Sequence, residues 1–129
     1  MSQQYALIID DNIKNVNVLA QLLTLQQFES IKVFNPNELD SLLKTLPAVK
    51  VIFLDLEMPT LDGYTILERL KSDPRFQNIP VVAYTVHLSE INVAYQQGFD
   101  SFIGKPLDAD KFPEHLARIL EGEAVWETS

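Results

Sequence analysis

Four short apolar runs in this sequence are each followed directly by residues suited to cation or phosphate chemistry. Asp10 and Asp11 follow Ala6–Ile9, Asp55 and then Glu57 follow Val51–Leu54, Thr85 follows Val81–Tyr84, and Gly104-Lys105-Pro106 follows Ser101–Ile103. Carboxylates gathered at one place repel, by about 1 kcal/mol per pair at ~4 Å in water and about 4 kcal/mol at an effective dielectric of ~20. A fold that gathers them needs compensation, and all-oxygen ligation suits a hard divalent cation, Mg²⁺ before others. With His87 and His115 as the only histidines and no cysteine, neither a thiolate zinc site nor a disulfide is available. Each piece alone has a plainer reading. Asp10-Asp11 suits a helix start, Thr85 a cap, and Lys105-Pro106 an exposed turn. Their joint occurrence, each after a strand-like run, is what points to a site.

The elements that must position these residues are legible from periodicity. The apolar runs Ala6–Ile9, Ile31–Phe34, Val51–Leu54, Val81–Tyr84 and Ser101–Ile103 read as strands. Several are continuously apolar, as expected of strands covered on both faces in a parallel sheet. Between them lie helical stripes. Val16, Leu19, Ala20 and Leu23 follow Asn12 as N-cap, and Leu39, Leu42, Leu43 and Leu46 follow Asn35 as cap with Pro36 in the first turn. Ile66, Leu67 and Leu70 stop before Asp73-Pro74, Ile91, Ala94 and Tyr95 close on Gly98, and Phe112, Leu116, Ile119 and Leu120 end near Gly122. Pro113 requires the last helix to begin close to Asp110. Five strand–helix units in alternation predict a doubly wound α/β domain with right-handed crossovers. In such sheets ligands bind beyond the carboxyl ends of the strands, where the polar residues above fall.

Composition narrows the function classes. The 129 residues carry 10 Lys+Arg against 18 Asp+Glu, a formal charge of −8, with 47% hydrophobic and 22% charged residues. That mix suits one globular domain and excludes disorder, collagen-like repeats and disulfide scaffolds. The acidic balance argues against direct nucleic-acid binding, since phosphate contacts need a basic surface. No run approaches membrane-span length and the N-terminus lacks a basic leader, so a cytoplasmic protein without membrane attachment is expected.

The stretch Asp55-Leu56-Glu57-Met58-Pro59-Thr60-Leu61-Asp62-Gly63, together with Asp10-Asp11, Thr85 and Lys105-Pro106, resembles the receiver domains of two-component response regulators, in particular the stand-alone, chemotaxis-type kind. The resemblance runs from about Tyr5 to Leu120. It implies a flavodoxin-like three-layer sandwich, with a five-stranded parallel sheet in the order 2-1-3-4-5 and five helices. A receiver domain over residues 1–122 and a short tail over 123–129 are expected.

Carried over residue by residue, the resemblance implies that Asp55 is the phosphoacceptor. Mg²⁺ (or Mn²⁺) would be held by Asp11, Asp55 and the Glu57 backbone carbonyl, with Asp10 acting through a water. Lys105 and Thr85 would contact phosphoryl oxygens, and Thr85 and Phe102 would form the switch. Partners would be a sensor histidine kinase or histidine phosphotransfer protein and a downstream effector, read out on the fourth helix, fifth strand and fifth helix. The protein would be a monomer or a phosphorylation-dependent dimer, with self-phosphotransfer and autodephosphorylation as its only chemistry. The Lys105-Pro106 bond is expected to be cis, and Gly63 to supply a turn with positive φ.

Two features depart from the family pattern. Val86 is larger than usual after Thr85 and would narrow access to the phosphoryl group, and the segment from Thr85 to Lys105 is a couple of residues short. Glu57 and His87 border the expected entrance for water, and a role in tuning hydrolysis and a plain solvated surface pair both stay open. For the tail around Trp126, fraying, packing on the domain and touching a partner all stay open. A phosphorelay shuttle shares every site residue with a switch. A Mg²⁺-dependent phosphatase with an Asp nucleophile is a weaker alternative, for which Glu57 stands at the offset of a general acid. A flavodoxin-like binding module is weaker still, since no phosphate-cradling loop follows the first strand.

Overall fold

The computed structural model describes residues 3–56, 58 and 62–127. Its strands are β1 (Gln4–Ile9), β2 (Phe28–Val33), β3 (Val51–Asp55), β4 (Val81–Thr85), β5 (Ser101–Gly104) and a short β6 (Trp126–Glu127). Its α-helices are α1 (Ile13–Leu25), α2 (Leu39–Leu43), α3 (Gly63–Lys71), α4 (Ile91–Gln97) and α5 (Phe112–Leu120). All strand pairs are parallel, in the order β2-β1-β3-β4-β5-β6. The expected order 2-1-3-4-5 is present, extended at one edge by β6.

Strand side chains alternate between two cores, which makes the three layers. On one face Leu7, Ile9, Ile52, Leu54, Ala83 and Phe102 meet Leu39 and Leu43 of α2, Ile66, Leu67 and Leu70 of α3, and Ala94 of α4. On the other, Ala6, Ile8, Phe53, Val82 and Tyr84 meet Val16, Leu19 and Leu23 of α1 and Phe112, Leu116 and Ile119 of α5. The continuous apolar runs of β1 and β3 are thus explained, because both faces of each are covered.

Helix boundaries follow local chemistry. The Asn12 side chain accepts from the Asn15 N–H at 3.1 Å and starts α1. Asp62 accepts from the Tyr64 N–H at 2.9 Å and starts α3. Gly98 ends α4 with φ +102°, a left-handed cap that a side chain would strain. Pro113 sits in the first turn of α5, where a missing N–H costs nothing.

The second helix departs from expectation. Asn35 caps a 3₁₀ turn over Pro36–Glu38, accepting from the Asn37 N–H at 3.0 Å, and α2 begins only at Leu39. It ends at Leu43, so Leu46 packs against the core from outside the helix. Pro47 disfavours helical backbone at Leu46, and the predicted stripe is cut there.

The tail packs on the domain through residue 127. Val125 is buried, its N–H donates to Ser101 Oγ at 2.9 Å, and the Phe102 N–H donates to the Val125 carbonyl at 2.7 Å. Trp126 meets Tyr95 of α4 edge-on, ring centroids 5.3 Å apart. β6 therefore covers the β5 edge between α4 and α5. Its two residues carry too little pattern to read as a strand; β5 supplies the partner that makes them one.

Among the described residues, no helix is long and apolar enough to cross a membrane.

Candidate phosphoryl and metal site

β1, β3, β4 and β5 end at one edge of the sheet, and their termini carry the polar residues. Asp10 leaves β1 fully buried, Asp11 is exposed, and Asp55 closes β3 at 6% exposure. Asp10, Asp11 and Asp55 each offer a carboxylate oxygen, all lying within 4.8 Å of one another. Lys105, just beyond β5, reaches into this group. Its Nζ stands 3.2 Å from Asp10 Oδ2 and 3.6 Å from Asp55 Oδ1, and its side chain is 8% exposed. The Lys105-Pro106 bond is cis, as expected.

Among the described residues, three carboxylates against one ammonium leave a formal charge of −2, with Asp10, Asp55 and Lys105 nearly buried and Asp11 open to solvent. That is the charge a divalent cation neutralises. Exclusively oxygen donors at this spacing fit a hard cation such as Mg²⁺.

Asp10 is held from three directions. Its Oδ1 accepts from the Asn12 N–H at 2.9 Å, and its Oδ2 accepts from the Tyr84 hydroxyl at 2.8 Å and from Lys105. Burial first, then the negative charge of Asp10 and the hydrogen bond to it, with Asp55 and Asp11 behind, push the Tyr84 hydroxyl far above its ordinary range, so it is held as a donor. Lys105 Nζ also lies 4.3 Å from the centroid of the Tyr84 ring, a cation–π contact. In the sequence Tyr84 reads only as the last residue of an apolar strand. The one signal that marks it is a hydroxyl-bearing residue directly before Thr85, in a strand buried at every position.

Thr85 closes β4 at 1% exposure, beside Gly104 in the β4–β5 register. Its backbone carbonyl accepts from the Lys105 N–H at 2.9 Å, and its Oγ1 accepts from the His87 N–H at 3.1 Å. Val86, next to it, is exposed. Phe102 is fully buried in the core shared with α2, α3 and α4, pairing with Ala83 of β4 on one side and Trp126 of β6 on the other. Glu57, expected to lend its carbonyl to the metal, lies outside the described residues.

Gly63 corrects an expectation. It does not have positive φ; it is the first residue of α3. A Cβ there would stand 2.8 Å from the Asp55 carbonyl oxygen and 2.8 Å from Leu56 Cα. Glycine is needed because the helix start presses against the backbone that carries Asp55, not because of a turn.

The family profile of the response regulator receiver domain matches residues 6–117. The chain belongs to the response regulator receiver family. Among curated relatives, the response regulator Rre1 of Synechocystis is 37% identical over 83 residues, covering 63% of this chain and 35% of that protein. The response regulator PleD of Caulobacter vibrioides is 34% identical over 105 residues, covering 79% of this chain and 23% of that protein. The chain thus spans about a third or less of the length of these two relatives. The chemotaxis response regulator CheY4 of Vibrio cholerae superposes with a TM-score of 0.79 at 17% identity, covering 92% of this chain and 99% of that one, a likeness of fold. As a receiver domain the chain belongs to two-component signalling, in a family that generally signals rather than turns over substrate.

Proposed function

We propose that this receiver domain is a phosphorylation-dependent switch whose phosphoacceptor is Asp55. The observation that supports it most is the pocket: a buried carboxylate at the end of β3, with two further carboxylates and one ammonium brought to it from β1 and β5. The donor is a phosphohistidine on a histidine kinase or a histidine phosphotransfer protein. An Asp55 carboxylate oxygen attacks phosphorus, the P–N bond breaks, the imidazole leaves with its electron pair, and an acyl phosphate forms. Hydrolysis reverses the state: water attacks phosphorus, and Asp55 regains its carboxylate as inorganic phosphate departs.

Transfer of this kind asks the protein mainly to position groups and offset charge. Asp11 and Asp55, with Asp10 through a water and the Glu57 carbonyl, are the ligands proposed for Mg²⁺. When bound, that ion supplies the positive charge that lets an anionic nucleophile meet an anionic phosphoryl group. Lys105, already 3.6 Å from Asp55, exchanges a carboxylate partner for a phosphoryl oxygen. Thr85 turns its hydroxyl from the His87 N–H toward the phosphoryl group, vacating space next to β5. Phe102 is the side chain proposed to respond, carrying the change to α4, β5 and α5, where an effector docks. Exposed Val86 at the mouth of the site restricts approach of small phosphodonors.

The test is incubation with Mg²⁺ and either acetyl phosphate or beryllofluoride. Wild type is expected to gain one phosphoryl group by mass, and to shift amide resonances of β4, β5 and α4 with beryllofluoride. Asp55→Asn is expected to do neither. An equal response in Asp55→Asn, or none in wild type, overturns the reading.

A further inference from the structure

Tyr84 is 1% exposed and stands beside Asp55 in the β3–β4 register, yet its hydroxyl reaches past β3 to Asp10 beyond β1. Its ring is fixed edge-on to Phe53, centroids 6.2 Å apart at 85°, and Phe53 in turn packs on Phe112 of α5. A hydroxyl on a ring held this way cannot leave Asp10 as a flexible chain would.

We propose that Tyr84 is a positioning residue of the acidic pocket, which donates to Asp10 Oδ2 and backs Lys105 so as to keep the divalent-cation affinity low. The inference rests on the Mg²⁺ reading above and goes beyond it in naming what sets the strength of binding. A carboxylate has about four lone-pair sites, and donors already occupy three of those on Asp10: the Asn12 N–H, the Tyr84 hydroxyl and the Lys105 ammonium. An incoming cation, or the water that carries it, competes for what is left. Lys105 is a long chain that can turn away toward Asp55; Tyr84 is not. Its hydrogen bond also offsets part of the carboxylate repulsion before any cation arrives, so the cation gains less by entering. The Lys105 ammonium over the Tyr84 ring is kept at Asp10 by the same residue.

The test is Mg²⁺ titration of wild type, Tyr84→Phe and Tyr84→Leu by calorimetry and by amide shifts, with urea stability measured in EDTA and in saturating Mg²⁺. Tyr84→Phe keeps the ring and removes only the hydroxyl. It is expected to bind Mg²⁺ about fivefold more tightly, and to lose more stability in EDTA than in Mg²⁺. Tyr84→Leu, which brings no polar group needing a partner, is expected to shift Kd the same way and serves if Tyr84→Phe does not fold. A purely structural role lowers stability equally with and without Mg²⁺ and leaves Kd within about twofold, which overturns the inference. Weaker binding in Tyr84→Phe overturns it too. If wild type itself shows no Mg²⁺ response, the metal reading falls and takes this one with it. A normal wild-type response with an unchanged variant removes this inference alone.

Discussion

Replacing Asp11 with Asn should make the protein more stable when no divalent cation is present. The side chain keeps its shape and loses its charge, and the formal charge of the pocket's described residues falls in size from −2 to −1. At the outer separation of 4.8 Å, each pair of carboxylates repels by about 3.5 kcal/mol at an effective dielectric of ~20 and about 0.9 kcal/mol in water. Asp10 and Asp55 are buried but Asp11 is exposed, so its two repulsions lie toward the aqueous value. Lys105, in the same pocket, offsets part of the gain. The net expectation is about 1–2 kcal/mol, or roughly 3–8 °C in Tm for a domain of this size. Urea denaturation in EDTA, followed by far-UV circular dichroism, measures it without screening the charges as guanidinium would. On the ligand set proposed above, the same variant should lose most of the stabilisation expected from Mg²⁺, because one of the proposed carboxylates is gone. Equal or lower stability of Asp11→Asn in EDTA would refute the repulsion argument. Equal Mg²⁺ stabilisation of both proteins would refute the assignment of Asp11 to the cation.

Two further substitutions probe the surroundings of the site. Gly63→Ala places a methyl group 2.8 Å from backbone atoms of Asp55 and Leu56, so either α3 or the Asp55 backbone must shift. A loss of about 1–3 kcal/mol in urea is expected, with amide shifts centred on residues 55 and 56, and a neutral result would contradict the close approach. Ser101→Ala leaves the buried Val125 N–H without its acceptor, at a cost of about 1–2 kcal/mol. Release of β6 should expose Trp126, the only tryptophan, and red-shift its emission. Unchanged emission and stability would mean that β6 is held by its other contacts.

The elements were legible because their signals are local. Buried strands such as Val51–Asp55 announce themselves by composition, and α1 by an Asn cap followed by apolar residues at helical spacing. Where a second local rule intervened, as at Leu46 before Pro47, the helix ended early for a reason also written in the sequence. Asp10, Asp11, Asp55, Thr85 and Lys105 were legible as a group because they stand at or just beyond the ends of four strands, and parallel strands with right-handed crossovers bring those ends to one edge.

What the sequence by itself determined, then, was which residues stand at that edge and the sign of the charge gathered there. Only the tertiary structure decided how that charge is shared. Tyr84 and Asp10 are separated by 74 positions, and no periodicity connects a strand tyrosine to an aspartate two strands away. Gly63 shows the same limit: its glycine is explained by distance to another element, not by its own backbone angles. β6 exists only because the β5 edge offers hydrogen bonds to two residues with little strand pattern of their own. Propensity and periodicity act over a few residues, whereas burial, ion pairing and edge completion depend on what the folded chain brings into contact.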